Sequence, residues 1–375
     1  GEEFTFTATF NNAVDPGYGP FIDIVLPATG EDGVYPGTAP GDEYDGVSFV
    51  GASYGGAAIP ADQLFVQTFP NDGGGTGCVQ HPVAVRPAGG PDGHGGSNPE
   101  VPVYYDVCGN AGDEFVTIVL PFGSFVPSQP PATVTITAQM SNLADMGTPL
   151  NIRGQAGFQF GNTPIQDFCC TPYDATIPVE PGGIYDSTGW PPSPVTPEIM
   201  TLTKTYVGPE NETATGPNYE RQFTIEVDIA EGQTVSDLNI VDDIPENIQF
   251  VSLDVPASGY TVNGSLPSTT TPGGIIDITL DNPVTGSSSA NDATLTFTYY
   301  VDRLDSSNGV IIDADDGEPA TSDNSASASG TWDPIDSRDE GPPLPTATGV
   351  CTPPCVSVED QSIVVQKGVS NITDG

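Results

Sequence analysis

Residues 3–10 read Glu-Phe-Thr-Phe-Thr-Ala-Thr-Phe, and residues 223–229 read Phe-Thr-Ile-Glu-Val-Asp-Ile. In each, apolar side chains recur at every second position, the period of a strand with one face in a core and the other in water. Phe4, Phe6, Ala8 and Phe10 share one face of the first segment; Phe223, Ile225, Val227 and Ile229 share one face of the second. A helix would scatter those side chains around its circumference. Glycine and proline, 45 and 39 residues, interrupt every stretch in which a long helix could run. The chain therefore reads as all-β, built of short strands joined by turns.

Each alternating segment opens a matching series. After the first come FIDIVLP (21–27), VSFVGASY (47–54) and TVTITAQMSNL (133–143). After the second come NIVDDIP (239–245), QFVSL (249–253) and TLTFTYYVDRL (294–304), with Val134, Ile136 and Met140 standing against Leu295, Phe297 and Val301. This predicts two copies of one β-domain: residues 1–175, carrying insertions near 28–46 and 72–112, and a compact second copy at 199–335. Pro-rich stretches at 176–198 and 336–357 read as semi-extended linkers.

The copies start differently. The second has a lysine-bearing strand, Leu-Thr-Lys-Thr-Tyr at 202–206, ahead of its alternating strand, and the first lacks one. The segment 358–375 supplies the missing pattern through Ile363, Val364, Val365 and Lys367, and so reads as the first strand of a next or neighbouring domain. Either the chain is one register of a longer tandem array, or the tail of one subunit completes the first domain of another. The residue at position 1 is Gly rather than Met, which fits a chain processed or cut from something longer. A spare strand at one end and an open sheet edge at the other invite head-to-tail addition, with copies of itself as partners.

Seven basic residues face fifty acidic ones, a formal charge of −43. Such a surface repels phosphate backbones and anionic headgroups, so neither nucleic acid nor a membrane surface is an expected partner. No run approaches the roughly 18 apolar residues of a membrane-spanning helix. Six cysteines suit disulfides in an oxidising, extracellular setting. Cys78 and Cys108 flank one insertion and read as its staple. Cys169 and Cys170 are adjacent, and a vicinal ring is strained, so separate partners are the expectation. Cys351 and Cys355 leave two readings open, a local bridge or pairing with another module or copy.

Asp313, Asp315 and Asp316 crowd oxygens as calcium requires, but without the Asp-x-Asp-x-Asp-Gly spacing; calcium and a solvated turn both remain open. His81 and His94 fall in the Gly-rich insertion without a partner motif and read as exposed loop residues. There is no nucleophile elbow, His-Glu-x-x-His or phosphate loop, and no pair of carboxylates is singled out, so no enzyme is expected.

LTKTYVGP (202–209), NIVDDIPENIQFVSL (239–253) and DNSASASGTWDP (323–334) together resemble the tandem repeat called domain of unknown function eleven, found in very large bacterial and archaeal surface proteins, including isopeptide-forming fimbrial proteins. YGPFIDIVLPATG, LPFGSF and GFQFGN resemble the irregular partner domain of such proteins. The resemblance implies tandem immunoglobulin-like β-sandwiches at the cell surface, as a filament, fimbria or stalk, without enzymatic activity. It also implies an internal isopeptide bond at Lys204, with Asn324 as acceptor and Asp242 as proton shuttle; Asp23 would be the analogue of Asp242 beside Lys367 in the completed first domain. The alternative is that each lysine forms a salt bridge or snorkels at a sandwich edge. Asp23 stands one residue further from its proline than Asp242 does. A second functional reading is an adhesin that takes glycan or protein through the insertion loops, with Tyr35, Tyr44, Tyr104 and Tyr105 as contact residues.

Overall fold

The computed structural model describes residues 1–375 apart from 13–15, 38–42, 87–102, 160–183, 209–215, 256–258, 289–290, 310–319, 337, 339–343, 352, 354 and 361–375. The chain divides into two units, Gly1–Pro197 and Glu198–Gly375, each a β-sandwich. Among the described residues no helix is long and apolar enough to cross a membrane.

In unit 1 the main strands are β1 (Glu3–Phe10), β2 (Pro20–Leu26), β3 (Val47–Tyr54), β4 (Leu64–Thr68), β5 (Thr76–Arg86), β6 (Val103–Asn110), β7 (Glu114–Val119), β8 (Ala132–Met140), β9 (Leu150–Phe158), β10 (Ile184–Asp186) and β11 (Pro192–Val195). One sheet runs β1-β8-β3, and the facing sheet runs β11-β9-β2-β7-β4. Between them Phe10, Ile22, Ile24, Leu26, Val134 and Ile136 form the sandwich core.

Strand β2 is buried on both faces, which is why FIDIVL reads as a continuous apolar run rather than an alternation. Its outer face carries Phe21 and Val25, and these pack with Phe69, Val83, Val107, Phe115 and Trp190 into a second core. The insertion supplies that cover: β5 and β6 pair antiparallel, with Cys78 and Cys108 directly opposite and joined by a disulfide. Strand β10 adds to β6 in parallel.

In unit 2 the strands are β12 (Met200–Val207), β13 (Arg221–Ile229), β14 (Thr234–Ile244), β15 (Ile248–Asp254), β16 (Tyr260–Val262), β17 (Gly274–Leu280), β18 (Ala293–Val301), β19 (Ala320–Asp333), β20 (Thr346–Val350) and β21 (Val356–Asp360). The sheet β12-β13-β18-β15 faces β16-β17-β14-β19-β20, and β21 also pairs with β19. The pairing orders of the two units run alike, since β1 pairs with β8 and β2 with β9 as β13 pairs with β18 and β14 with β19. Strand β12 has no counterpart among the described residues of unit 1, so β1 is an edge where β13 is interior.

Both Pro-rich stretches differ from the spacers expected. Residues 192–195 pair with β9, and residues 346–350 with β19, each at the margin of a sheet. Proline lacks a donor, and an edge strand tolerates that on its outward side. Strand β21 likewise belongs to unit 2, with Val356 opposite Asn324. Between β20 and β21 a Cys351–Cys355 disulfide closes a short loop against Ala326, whose N–H points at Cys355 Sγ. The local bridge is therefore the pairing present.

Unit 1 also holds a buried carboxyl with a pH signature. Burial raises the pKa of Asp113 to about 6, against hydrogen bonds donated by Asn110 and Thr29. An acid whose folded pKa lies above its unfolded value stabilises most below the unfolded pKa and loses that contribution as pH rises through the folded one. Between about pH 4 and 6 the native chain should lose up to about 3 kcal/mol that Asp113→Asn does not lose. Urea unfolding of both chains across this window measures the difference.

Candidate functional site

The inward face of β12 is set by alternation: Met200, Leu202 and Lys204 are buried while Thr201, Thr203 and Thr205 are exposed. A lysine in that series carries its amine into the core. On β14, Ile240, Asp242 and Ile244 share the core face by the same rule. The side chains of Lys204 and Asp242 have no solvent exposure, and Nζ and Oδ2 are in direct ion-pair contact. The amine also lies 5.0 Å from the ring centroid of Phe223 and 5.3 Å from that of Phe297, so two aromatic rings wall it in.

Burial works against both charges. It lowers the pKa of Lys204 to about 8, with the Asp242 carboxylate pulling the other way. It raises that of Asp242, against the attraction of Lys204. Both groups are thus moved toward their neutral forms, the states in which an amine attacks and a carboxyl donates a proton.

Asn324 completes the group from β19. Asp242 pairs with Ala326, so Asn324 lies two residues along on the same face, a diagonal neighbour. It sits beside the Asp242 carboxylate and helps hold its charge. Yet neither amide atom of Asn324, which is fully buried, makes a hydrogen bond of ordinary geometry. Leaving a buried polar group unpaired costs about 1–3 kcal/mol, and such groups call for a functional explanation.

The first unit departs from expectation at Asp23. Counting back from proline, Ile24 and not Asp23 matches Asp242, since each stands three residues before its proline. A shift of one residue along a strand turns a side chain to the opposite face. Asp23 accordingly lies outside the sandwich, between Phe21 and Val25, fully buried in the second core. There His81 Nε2 lies 3.0 Å from its Oδ2 and Thr117 donates to Oδ1 at 2.7 Å. The other ring nitrogen of His81, Nδ1, accepts from the Val83 N–H, which assigns the shared proton to Nε2. His81 is therefore a core residue rather than an exposed one, and Asp23 is not placed to serve a lysine in the sandwich. The spacing to Pro27 was the available signal for Asp23; nothing comparable marked His81.

Along the free edge of β1 runs a groove of about 480 Å³, lined among others by Phe4, Phe6, Ala8, Ile24, Ile152 and Val195. Of the tyrosines in the insertion loops, Tyr44 and Tyr104 are exposed, whereas Tyr105 packs on the second core and Tyr35 lies over Gly112. Ile363, Val364, Val365, Lys367, Cys169, Cys170, His94, Asp313, Asp315 and Asp316 lie outside the described residues. Among the described residues no three His, Cys, Asp or Glu side chains are grouped to hold a metal ion.

No family model and no curated protein matches the chain, so the resemblance to the domain of unknown function eleven stands on the quoted motifs. Among solved structures, the chain is similar to a 35 kDa C-terminal fragment of the major pilin GBS80 of Streptococcus agalactiae, at 11% identity and a TM-score of 0.25 over 43% of this chain. It is similar to the full-length major pilin SpaD of Corynebacterium diphtheriae, at 11% identity and 0.25 over 89% of this chain. A third is the C-terminal domain of the S. agalactiae AgI/II polypeptide BspA, at 8% identity and 0.25, covering 96% of this chain and 93% of that one. The chain spans 56% and 58% of the two pilin chains. Values this low carry no argument about function.

Proposed function

We propose that the chain is a structural subunit of an extracellular filament or stalk, joined head to tail by strand completion. One contrast carries this reading. The inward face of β13, with Phe223, Ile225 and Val227, is buried because β12 covers its edge, while the equivalent face of β1 leaves Phe4, Phe6 and Ala8 half-exposed beside an open groove. A strand with the pattern of β12 is what would close it, and residues 363–369 repeat that pattern. The two disulfides among the described residues and the six cysteines in all suit an oxidising medium outside the cell.

In the same reading, unit 2 is locked by an isopeptide bond. Neutral Lys204 Nζ attacks the Asn324 side-chain carbonyl carbon, and the bond from that carbon to the amide nitrogen breaks. Asp242, as the neutral carboxyl, gives its proton to the leaving nitrogen and takes one from the attacking amine, so ammonia departs and the carboxyl is restored.

Negative-stain electron microscopy of native material tests the assembly. Filaments are expected, removal of residues 361–375 should leave single particles, and the isolated 361–375 peptide should bind the truncated chain. Strictly monomeric full-length protein would overturn the reading.

A further inference from the structure

We propose that the Cys351–Cys355 disulfide is a positioning element for the cross-link of unit 2: it pins β21 along Asn324, and ammonia is lost only after the disulfide has closed. The inference rests on the isopeptide reading above and adds to it an order of events.

Pairing between β14 and β19 ends at Ser325, opposite Asp243. Asn324 is the next residue and stands past the end of that ladder. On the other side of β19, β20 pairs with residues 327–331 and β21 with residues 320–324, Val356 lying opposite Asn324. Among the described residues it is therefore β21 that holds the backbone of the acceptor in the sheet. Two side-chain contacts support the same stretch: Asn247 donates to the Thr321 carbonyl at 3.0 Å, and the Ser357 hydroxyl donates to Asp323.

Ser325 and Ala326 fall in the gap between β20 and β21, and Ala326 is the residue opposite Asp242. The disulfide fills that gap. The Ala326 N–H points at Cys355 Sγ, 3.2 Å away, and Cys351 Sγ lies 3.4 Å from the Ala326 carbonyl oxygen. Both edge strands also pack against β12, the strand of Lys204. Gly349 comes so close to it that a Cβ there would lie 3.2 Å from Met200 Cγ.

Strand β21 has five residues, and an edge that short frays readily unless it is tied down. When it leaves, Asn324 loses the ladder that places its amide, and water enters through the open edge. Hydration returns Lys204 and Asp242 to their charged states, and an ammonium has no lone pair with which to attack. With the edge closed, burial keeps both groups displaced toward their neutral forms. Closing the bond moves two electrons and two protons from the thiols to an external disulfide, which becomes two thiols. The cross-link is thus withheld in a reducing compartment and made in an oxidising one.

The test uses the full chain made and purified under reductant. It is expected at its unmodified mass, with hydrogen exchange showing β13 and β18 protected. Oxidised glutathione should then remove the disulfide hydrogens first and one ammonia afterwards. Cys351→Ser with Cys355→Ser should keep its ammonia under the same treatment, whereas Cys78→Ser with Cys108→Ser should lose it as the native chain does. Ammonia lost by the reduced native chain, or by the Cys351→Ser/Cys355→Ser chain at the native rate, would overturn the inference and leave the isopeptide bond standing. So would an unprotected unit 2 in the reduced chain, since the disulfide would then serve folding, and so would failure of the Cys78→Ser/Cys108→Ser control, since the effect would then be one of oxidation in general. An oxidised native chain that never loses ammonia overturns the isopeptide reading itself.

Discussion

The intact mass of the native chain is expected one ammonia below the value its sequence requires, after allowing for the hydrogens lost at each disulfide. Asn324→Ala should carry its full mass, because the acceptor carbonyl is gone, and so should Asp242→Asn, in which attack lacks its proton carrier. The link would close a loop of 120 residues, from 204 to 324. Loop-closure entropy at that length is worth about 5 kcal/mol. For a unit of this size it corresponds to a fall of about 10–20 °C in the unfolding midpoint of unit 2 when the bond cannot form. Asn324→Ala is the cleaner variant for calorimetry, since it leaves the Lys204–Asp242 pair in place. A native chain at full, unmodified mass would refute the reaction.

His81→Leu is expected to destabilise unit 1 by about 1–3 kcal/mol, because buried Asp23 loses the hydrogen bond that His81 Nε2 donates. Thr117 still donates to Asp23, which places the loss toward the lower end of that range. Replacing both members, as Asp23→Leu with His81→Leu, should recover much of the loss, since two apolar side chains then sit among Phe21, Val25 and Phe115. Trp190 belongs to the same core, and its fluorescence reports the unfolding. Equal stability of single and double variants would mean that the contact contributes nothing.

The outer sandwich strands could be read from the sequence because they are half-buried, and half-burial writes itself as alternation. Phe223 to Ile229 is such a case, as is Ala132 to Met140. Asp242 and Asn324, as companions of Lys204, follow from the family resemblance and not from the alternation. The second core could not be read. A strand covered on both sides, as β2 is, loses its alternation, and period alone cannot say which face Asp23 occupies. Its cover comes from β5 and β6, whose apolar residues stand beside Gly-rich sequence that reads as loop. The edge strands at 192–195 and 346–350 were hidden by composition: proline suggests a spacer until a neighbouring sheet margin is known.

Lys204 and Arg221 are sealed inside unit 2, leaving five of the seven basic residues of the whole chain elsewhere. An endopeptidase of trypsin type, which must draw a basic side chain into its specificity pocket, meets few places to begin along such a chain. Scarcity and concealment of cations would thus confer durability in a medium rich in secreted digestive enzymes.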